Sequence, residues 1–156
     1  MGERTPHLDP DCRGVFFGLS AIHTKPDLIR AVMEGVAYSL KDCNDILVEM
    51  GVHVQEMMAC GGGGKSPLWR QMLADMYGCR VRTIKAQEGP ALGVAILAGV
   101  GAGIFPDVVT ACRKFIALDK TCEPDAAHGA YYQKGHALYR ELYQKLQGSY
   151  QELAKL

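Results

Sequence analysis

The sequence predicts an α/β domain, and three observations carry that prediction. A short apolar run, Met57-Met58-Ala59-Cys60, is stopped by four successive glycines. Further on, Cys79, Val81 and Thr83 alternate with Arg80 and Arg82, the period of a strand with one wet face. Between and around these two segments, apolar residues recur at helical intervals. Strands alternating with helices, then a helix-rich tail, is the pattern of an α/β fold.

The elements follow in order. Residues 1–23 carry turn formers at Gly2, Pro6, Pro10, Gly14 and Gly18 around one apolar patch, Val15-Phe16-Phe17, and read as loop with room for one strand. Thr24 then precedes Pro26 and Asp27, a helix start: a hydroxyl for the free amides, proline in the first turn and an acid at the positive dipole end. Leu28, Val32, Val36, Leu40 and Leu47 extend this helix to near Gly51. The run ending at Cys60 is too short for a helix and reads as a buried strand. Ser66 as N-cap and Pro67 at the first position open a second helix, whose stripe of Leu68, Trp69, Met72, Leu73, Met76 and Tyr77 ends at Gly78. After the alternating strand, Glu88-Gly89-Pro90 opens a helix whose body, Ala91 to Val100, is apolar on nearly every side and is expected to be buried, with Gly93 permitting close packing. A short helical stretch to about Ile116, a connector through Pro124 and a long helix carrying Leu138, Tyr139, Leu142, Tyr143 and Leu146 complete the chain. Two strands alone leave the helices' apolar surface uncovered, so the sheet is incomplete and the chain reads as part of a larger domain.

Composition limits the function classes. Apolar residues make up 48% and charged residues 22%, as in soluble globular proteins. Lys plus Arg equals Asp plus Glu at 17 each, so no field of one sign exists to attract nucleic acid or an anionic membrane. No basic stretch precedes an apolar one at the N-terminus, and no run reaches the roughly 18 apolar residues of a membrane span, which points to the cytoplasm. The six cysteines are scattered without metal-ligand spacing and read as reduced, mostly buried thiols. The five histidines are likewise scattered, and no metal site is expected.

The candidate site is the glycine run. Gly61, Gly62, Gly63 and Gly64 lie where a strand ends and a helix begins, the place at which open α/β sheets bind ligands. Without Cβ atoms, such a loop lets a base, ribose or phosphate approach the backbone, at a conformational cost of about 0.5–1 kcal/mol per glycine against alanine in regular structure. The competing reading is a tight turn and nothing more. A P-loop is a further reading: Gly64-Lys65-Ser66 supplies its ending, but Ala59 stands where its first glycine belongs, and Pro67 removes an amide. Its partner acid would be Asp119, after Phe115-Ile116-Ala117-Leu118, though four-residue apolar runs before an acid are common by chance. Ser66 is equally a helix cap, Trp69 on its stripe reads as packing, and Glu34 has no second carboxylate at catalytic spacing.

Several blocks in one order resemble the FGGY carbohydrate kinases. They are Gly2-Glu3-Arg4-Thr5-Pro6 with Arg13-Gly14-Val15-Phe16-Phe17-Gly18-Leu19, Arg30-Ala31-Val32-Met33-Glu34-Gly35-Val36-Ala37, the run from Cys60 to Gln71, and Glu88-Gly89-Pro90-Ala91-Leu92-Gly93. The resemblance implies an actin-like, ribonuclease H-like fold of two domains with MgATP and sugar in the cleft between them. It makes residues 1–156 the latter part of the C-terminal, nucleotide-binding domain. It places Gly62 and Ser66 beside the nucleoside of ATP, with Gly61, Gly63 and Gly64 shaping the backbone, and leaves Lys65 solvated. It also assigns the catalytic base, and the contacts to a ketose acceptor, to an N-terminal domain that nothing here matches, so this chain carries no catalytic residue and is expected to be inactive alone. Magnesium would arrive with ATP, held by phosphates. The rival expectation is a non-catalytic module that self-associates, as a homo-oligomer, through its exposed sheet edge or apolar faces.

Overall fold

The computed structural model describes residues 2–86 and 89–156. The elements run α1 (Lys25–Glu49), β1 (Glu56–Met58), α2 (Gly61–Lys65), α3 (Pro67–Tyr77), β2 (Arg80–Ile84), α4 (Gly89–Gly101), α5 (Val108–Phe115), β3 (Leu118–Cys122) and α6 (Ala126–Leu153). The residues pack into two units, one of Met1–His53, Asp75–Gly78 and Asp125–Leu156, the other of Val54–Ala74 and Cys79–Pro124.

In the first unit, α1 begins where Thr24 donates both its amide (2.8 Å) and its hydroxyl (2.7 Å) to Asp27 Oδ2. These bonds, the side-chain one foremost, hold the Asp27 carboxyl below its ordinary range. The helix buries Ala37, Tyr38, Asp42 and Asn44 against this unit's other segments. At its N-terminus α6 is capped by Asp125, whose carboxylate accepts from the amides of Ala127 (2.8 Å) and His128 (2.9 Å). The two helices come close at Gly135, where an added Cβ would stand 2.1 Å from Tyr38 Oη. Buried beside that crossing, His136 Nε2 and Asp42 Oδ1 are 2.9 Å apart. Val15-Phe16-Phe17 follows the loop reading of residues 1–23: the stretch forms no strand, and all three residues are exposed.

The second unit holds the sheet, in the order β1-β2-β3. β1 pairs parallel with β2, Met57 opposite Val81, with α2 and α3 forming the crossover. β2 keeps its predicted alternation: Val81 and Thr83 are buried and Arg80, Arg82 and Ile84 half-buried. On its wetter face Arg82 Nε reaches Glu56 Oε2 at 3.0 Å and Arg80 Nε reaches Glu123 Oε1 at 2.6 Å.

Four expectations are corrected here. The connector before Pro124 contains β3, antiparallel to β2 (Val81 opposite Cys122, Ile84 opposite Leu118) and with an irregularity between Arg82 and Ile84. There the amide of Lys120 donates to Thr83 Oγ1 at 3.1 Å. The glycine run is not an open loop but one helical turn, α2. And α4 is not buried: of its residues only Ile96 and Gly99 are. Its expected opening residue Glu88 lies outside the described residues. The cysteines are free, as expected, but only Cys79 is buried; Cys60 is exposed and the other four are intermediate. Among the described residues, no helix is long and apolar enough to cross a membrane.

Candidate functional site

The site is built where β1 runs out. Beyond Met58 the Ala59 amide still bonds the sheet, donating to Arg82 O at 2.8 Å, and the chain then turns through Gly61. Gly61 has φ +69°, a left-handed conformation that favours glycine. The turn of α2 folds back on the strand end so closely that a Cβ at Gly64 would lie 2.6 Å from Ala59 O. A Cβ at Gly63 would meet the Trp69 indole nitrogen at 3.1 Å. Gly62, exposed like Gly63, differs from both in that nothing among the described residues lies within 4 Å of the place its Cβ would take.

Ser66 is the junction. Its amide donates to Gly63 O (3.1 Å), ending α2, and its carbonyl accepts from the Arg70 amide (3.1 Å). Its hydroxyl oxygen accepts from the Trp69 amide at 3.3 Å, the N-cap role foreseen for it. Arg70, itself buried, donates from Nη1 to Gly64 O at 2.6 Å, a charge-assisted bond that fixes the carbonyl end of the glycine turn to α3. Trp69 packs on Gly63, in keeping with its reading as a packing residue.

Beneath the turn is a cavity of about 230 Å³, wholly within the second unit. Gly61, Gly64 and Lys65 border it on one side and Thr83, Asp119 and Lys120 on the other. Gly62, Gly63 and Ser66 do not line it. With Arg70 and Lys85 added, the described residues around the space supply four cationic groups and one carboxylate, which suits an anionic ligand. Its volume is below the roughly 300 Å³ at which small-molecule pockets begin, so it can take only a part of a nucleotide.

Lys65 and Asp119, the residues singled out for a P-loop, do border the same cavity. The phosphate-cradling loop that a P-loop needs is replaced by the helical turn α2, with Lys65 as its last residue. Thr83 and Lys120 were not foreseen at the site, because both depend on the β2–β3 pairing.

The remaining polar clusters belong to structure. Glu34 accepts from Arg30 Nε at 2.8 Å, and Arg30 Nη2 donates to the Tyr132 hydroxyl at 3.1 Å. Donor atoms of Asp42, Asp45 and His136 lie within 4.8 Å of one another. Arg140 Nε stands 3.6 Å from Asp42, and Lys41 pairs with Asp45, so these carboxylates already face protein cations.

Comparison with known proteins defines the class. A solved xylulose kinase from Lactobacillus acidophilus superimposes with a TM-score of 0.85 at 33% identity, over 96% of this chain and 30% of its own. A gluconate kinase from the same organism superimposes with a TM-score of 0.82 at 32% identity, over 94% and 30%. The chain is therefore a helix-rich α/β portion of a sugar-kinase, actin-like ATPase fold. Residues 1–102 match the sequence model of the FGGY family of carbohydrate kinases, C-terminal domain. The chain belongs to the FGGY family of carbohydrate kinases. A xylulose kinase of Staphylococcus epidermidis is 39% identical over 144 residues, which are 92% of this chain and 29% of that protein. The chain thus spans less than a third of the length of the relatives it matches.

Proposed function

We propose that this chain is the ATP-holding portion of a cytoplasmic ketose kinase of the xylulose kinase type, which transfers the γ-phosphate of ATP to D-xylulose and yields D-xylulose 5-phosphate and ADP. The observation that carries the reading is Gly62. Gly61 is accounted for by its backbone conformation, Gly63 by Trp69 and Gly64 by Ala59. Gly62 sits inside a helical turn, where glycine costs about 1 kcal/mol against alanine, and among the described residues no protein atom needs its missing side chain. A nucleoside lying on the turn does. Gly62 and Ser66 would then face the nucleoside, Gly61, Gly63 and Gly64 would set the backbone beneath it, and the cationic cavity would favour its anionic end.

Phosphoryl transfer also requires a base for the attacking hydroxyl and alignment of that hydroxyl with the γ-phosphate. No described residue at this site is placed for either, so both fall to an N-terminal domain that also holds the sugar. The same portion occurs in a gluconate kinase, which fits an acceptor chosen elsewhere. Magnesium, when bound with ATP, neutralises phosphate charge. Among the described residues a single carboxylate, Asp119, borders the cavity, too few to cage the ion, so the phosphates would be its main ligands. The cytoplasmic assignment is consistent with six free cysteines, which suit a reducing compartment.

Calorimetric titration with ATP tests the reading. Saturable binding, millimolar or tighter, is expected, with Gly62→Val abolishing it at unchanged circular dichroism and Lys65→Ala retaining it. ATP binding by Gly62→Val equal to wild type would end the nucleoside assignment, and loss through Lys65→Ala alone would restore the P-loop reading. The isolated chain is expected to show no ketose-dependent ADP release.

A further inference from the structure

We infer that Arg70 is a positioning residue for the nucleotide: it touches no part of the ligand and sets the affinity for the nucleoside by holding α2 in the conformation that presents Gly62. The inference rests on the nucleoside reading of the glycine turn and names the side chain on which that turn depends.

Four of the five residues of α2 are glycine. Glycine is, after proline, the poorest helix former, and a single helical turn does not stand by itself in water. The turn therefore takes its shape from outside. Gly64 is pressed against the end of β1, where an added Cβ would lie 2.6 Å from Ala59 O. At the same residue Arg70 ties the turn to α3: its Nη1 donates to Gly64 O at 2.6 Å, while its amide donates to Ser66 O at 3.1 Å. Carbonyls at a helix C-terminus lack an intrahelical donor, and a cation there complements their partial negative charge. Gly62 has no comparable anchor, since nothing among the described residues lies within 4 Å of its Cβ position. Its place is inherited along the chain from Gly64.

The choice of residue is the second observation. Arg70 is 4% exposed, and among the described residues its buried Nε finds no hydrogen-bond partner. A buried guanidinium with a donor unmet is costly, and a tie that served the fold alone is made as well by apolar packing. Here the charge is spent on a carbonyl two residues from Gly62, at the border of the cationic cavity. A run of glycines released from Arg70 regains its backbone freedom. A nucleoside has then to order the turn as it binds, and the apparent affinity falls in proportion to the fraction of molecules whose turn is already formed.

The test compares Arg70→Met and Arg70→Lys with the wild-type chain in three measurements: amide chemical-shift titrations with adenosine and with ATP, backbone order parameters without ligand, and Tm. Arg70→Met is expected to weaken adenosine and ATP by the same factor, about tenfold, the loss of one charge-assisted hydrogen bond. Order parameters at Gly62 and Gly63 should drop from about 0.85, the rigid range, to below about 0.6. Arg70→Lys keeps a charge but loses the planar fork and should lie between Arg70→Met and wild type. Loss of ATP binding with adenosine affinity unchanged would overturn the inference, because Arg70 would then contact phosphate. So would a lower Tm with both affinities and the order parameters intact, the mark of a fold contact alone. If Arg70→Met does not fold, Arg70→Lys carries the same measurements, and failure of both to fold would likewise overturn the inference. A wild-type chain that binds neither ligand would count against the nucleotide reading, and the order parameters would then decide whether Arg70 holds the turn.

Discussion

Gly64 and Gly62 are chemically identical and two positions apart, and their surroundings give them opposite roles. A methyl group at Gly64 meets a backbone carbonyl, Ala59 O, at 2.6 Å, and neither the strand end nor the turn can yield without breaking the Ala59–Arg82 hydrogen bond or the Arg70–Gly64 one. Gly64→Ala is therefore expected to lower stability by about 1–3 kcal/mol, the usual cost of overpacking, as read from the urea midpoint. Gly62→Ala places its methyl in open space and improves helix propensity, so its stability should equal or slightly exceed wild type. A Gly64→Ala protein as stable as wild type would show that the turn does not press on the strand end as described. Sequence revealed that these glycines matter but not which does what, since four identical residues carry no internal distinction. The division depends on where Ala59 and Trp69 fall once the turn is helical.

At the scale of elements, what was legible is what local chemistry decides. Thr24 and Asp27 mark the start of α1, Ser66 and Pro67 that of α3, and the Arg80–Ile84 alternation marks β2, because caps and periodicity are written in neighbouring residues. β3 was not legible: Leu118–Asp119–Lys120–Thr121 are all exposed, so the segment shows no inward-outward period, and its strand character comes from pairing with β2. α2 was hidden because glycine is a poor helix former, and its turn is held by bonds from Arg70 and Ser66, both outside the run. The α1–α6 pair was equally invisible, since Asp42 and His136 are 94 positions apart. Their side chains are 4% and 9% exposed, and Arg140 stands 3.6 Å from the same carboxylate oxygen. Asp42→Ala removes the partner of the buried His136 Nε2, and a buried polar group left unsatisfied costs about 1–3 kcal/mol. His136→Ala leaves the carboxylate facing Arg140 and should cost less. A double-mutant cycle from urea midpoints is expected to show coupling above about 0.5 kcal/mol; additive losses would show that the Asp42–His136 contact does not hold the two helices together.

For the whole molecule, the tyrosines make stability a function of alkaline pH. Burial pushes the Tyr38 phenol up to about 12, and Tyr132, Tyr139 and Tyr150 are raised by burial as well. Tyr143 is also pushed up to about 12, by burial and by its hydrogen bond to Asp9, which accepts from the phenol at 3.0 Å. In the unfolded chain each phenol loses its proton near pH 10, while the folded protein keeps it. The unfolded state therefore binds fewer protons than the folded one between about pH 10 and about pH 12, and unfolding becomes easier as pH rises through that window. Below about pH 10 both states are protonated and the contribution is fully present. Urea midpoints should thus be flat in this respect up to about pH 10 and fall beyond it, with phenolate absorbance rising together with unfolding. Tyr38→Phe removes one titrating group while keeping the ring that packs near Tyr132, His136 and Tyr139, so its midpoint should fall less steeply over the same interval. A variant that loses stability as steeply as wild type above about pH 10 would show that Tyr38 ionises in the folded protein as readily as in the unfolded chain.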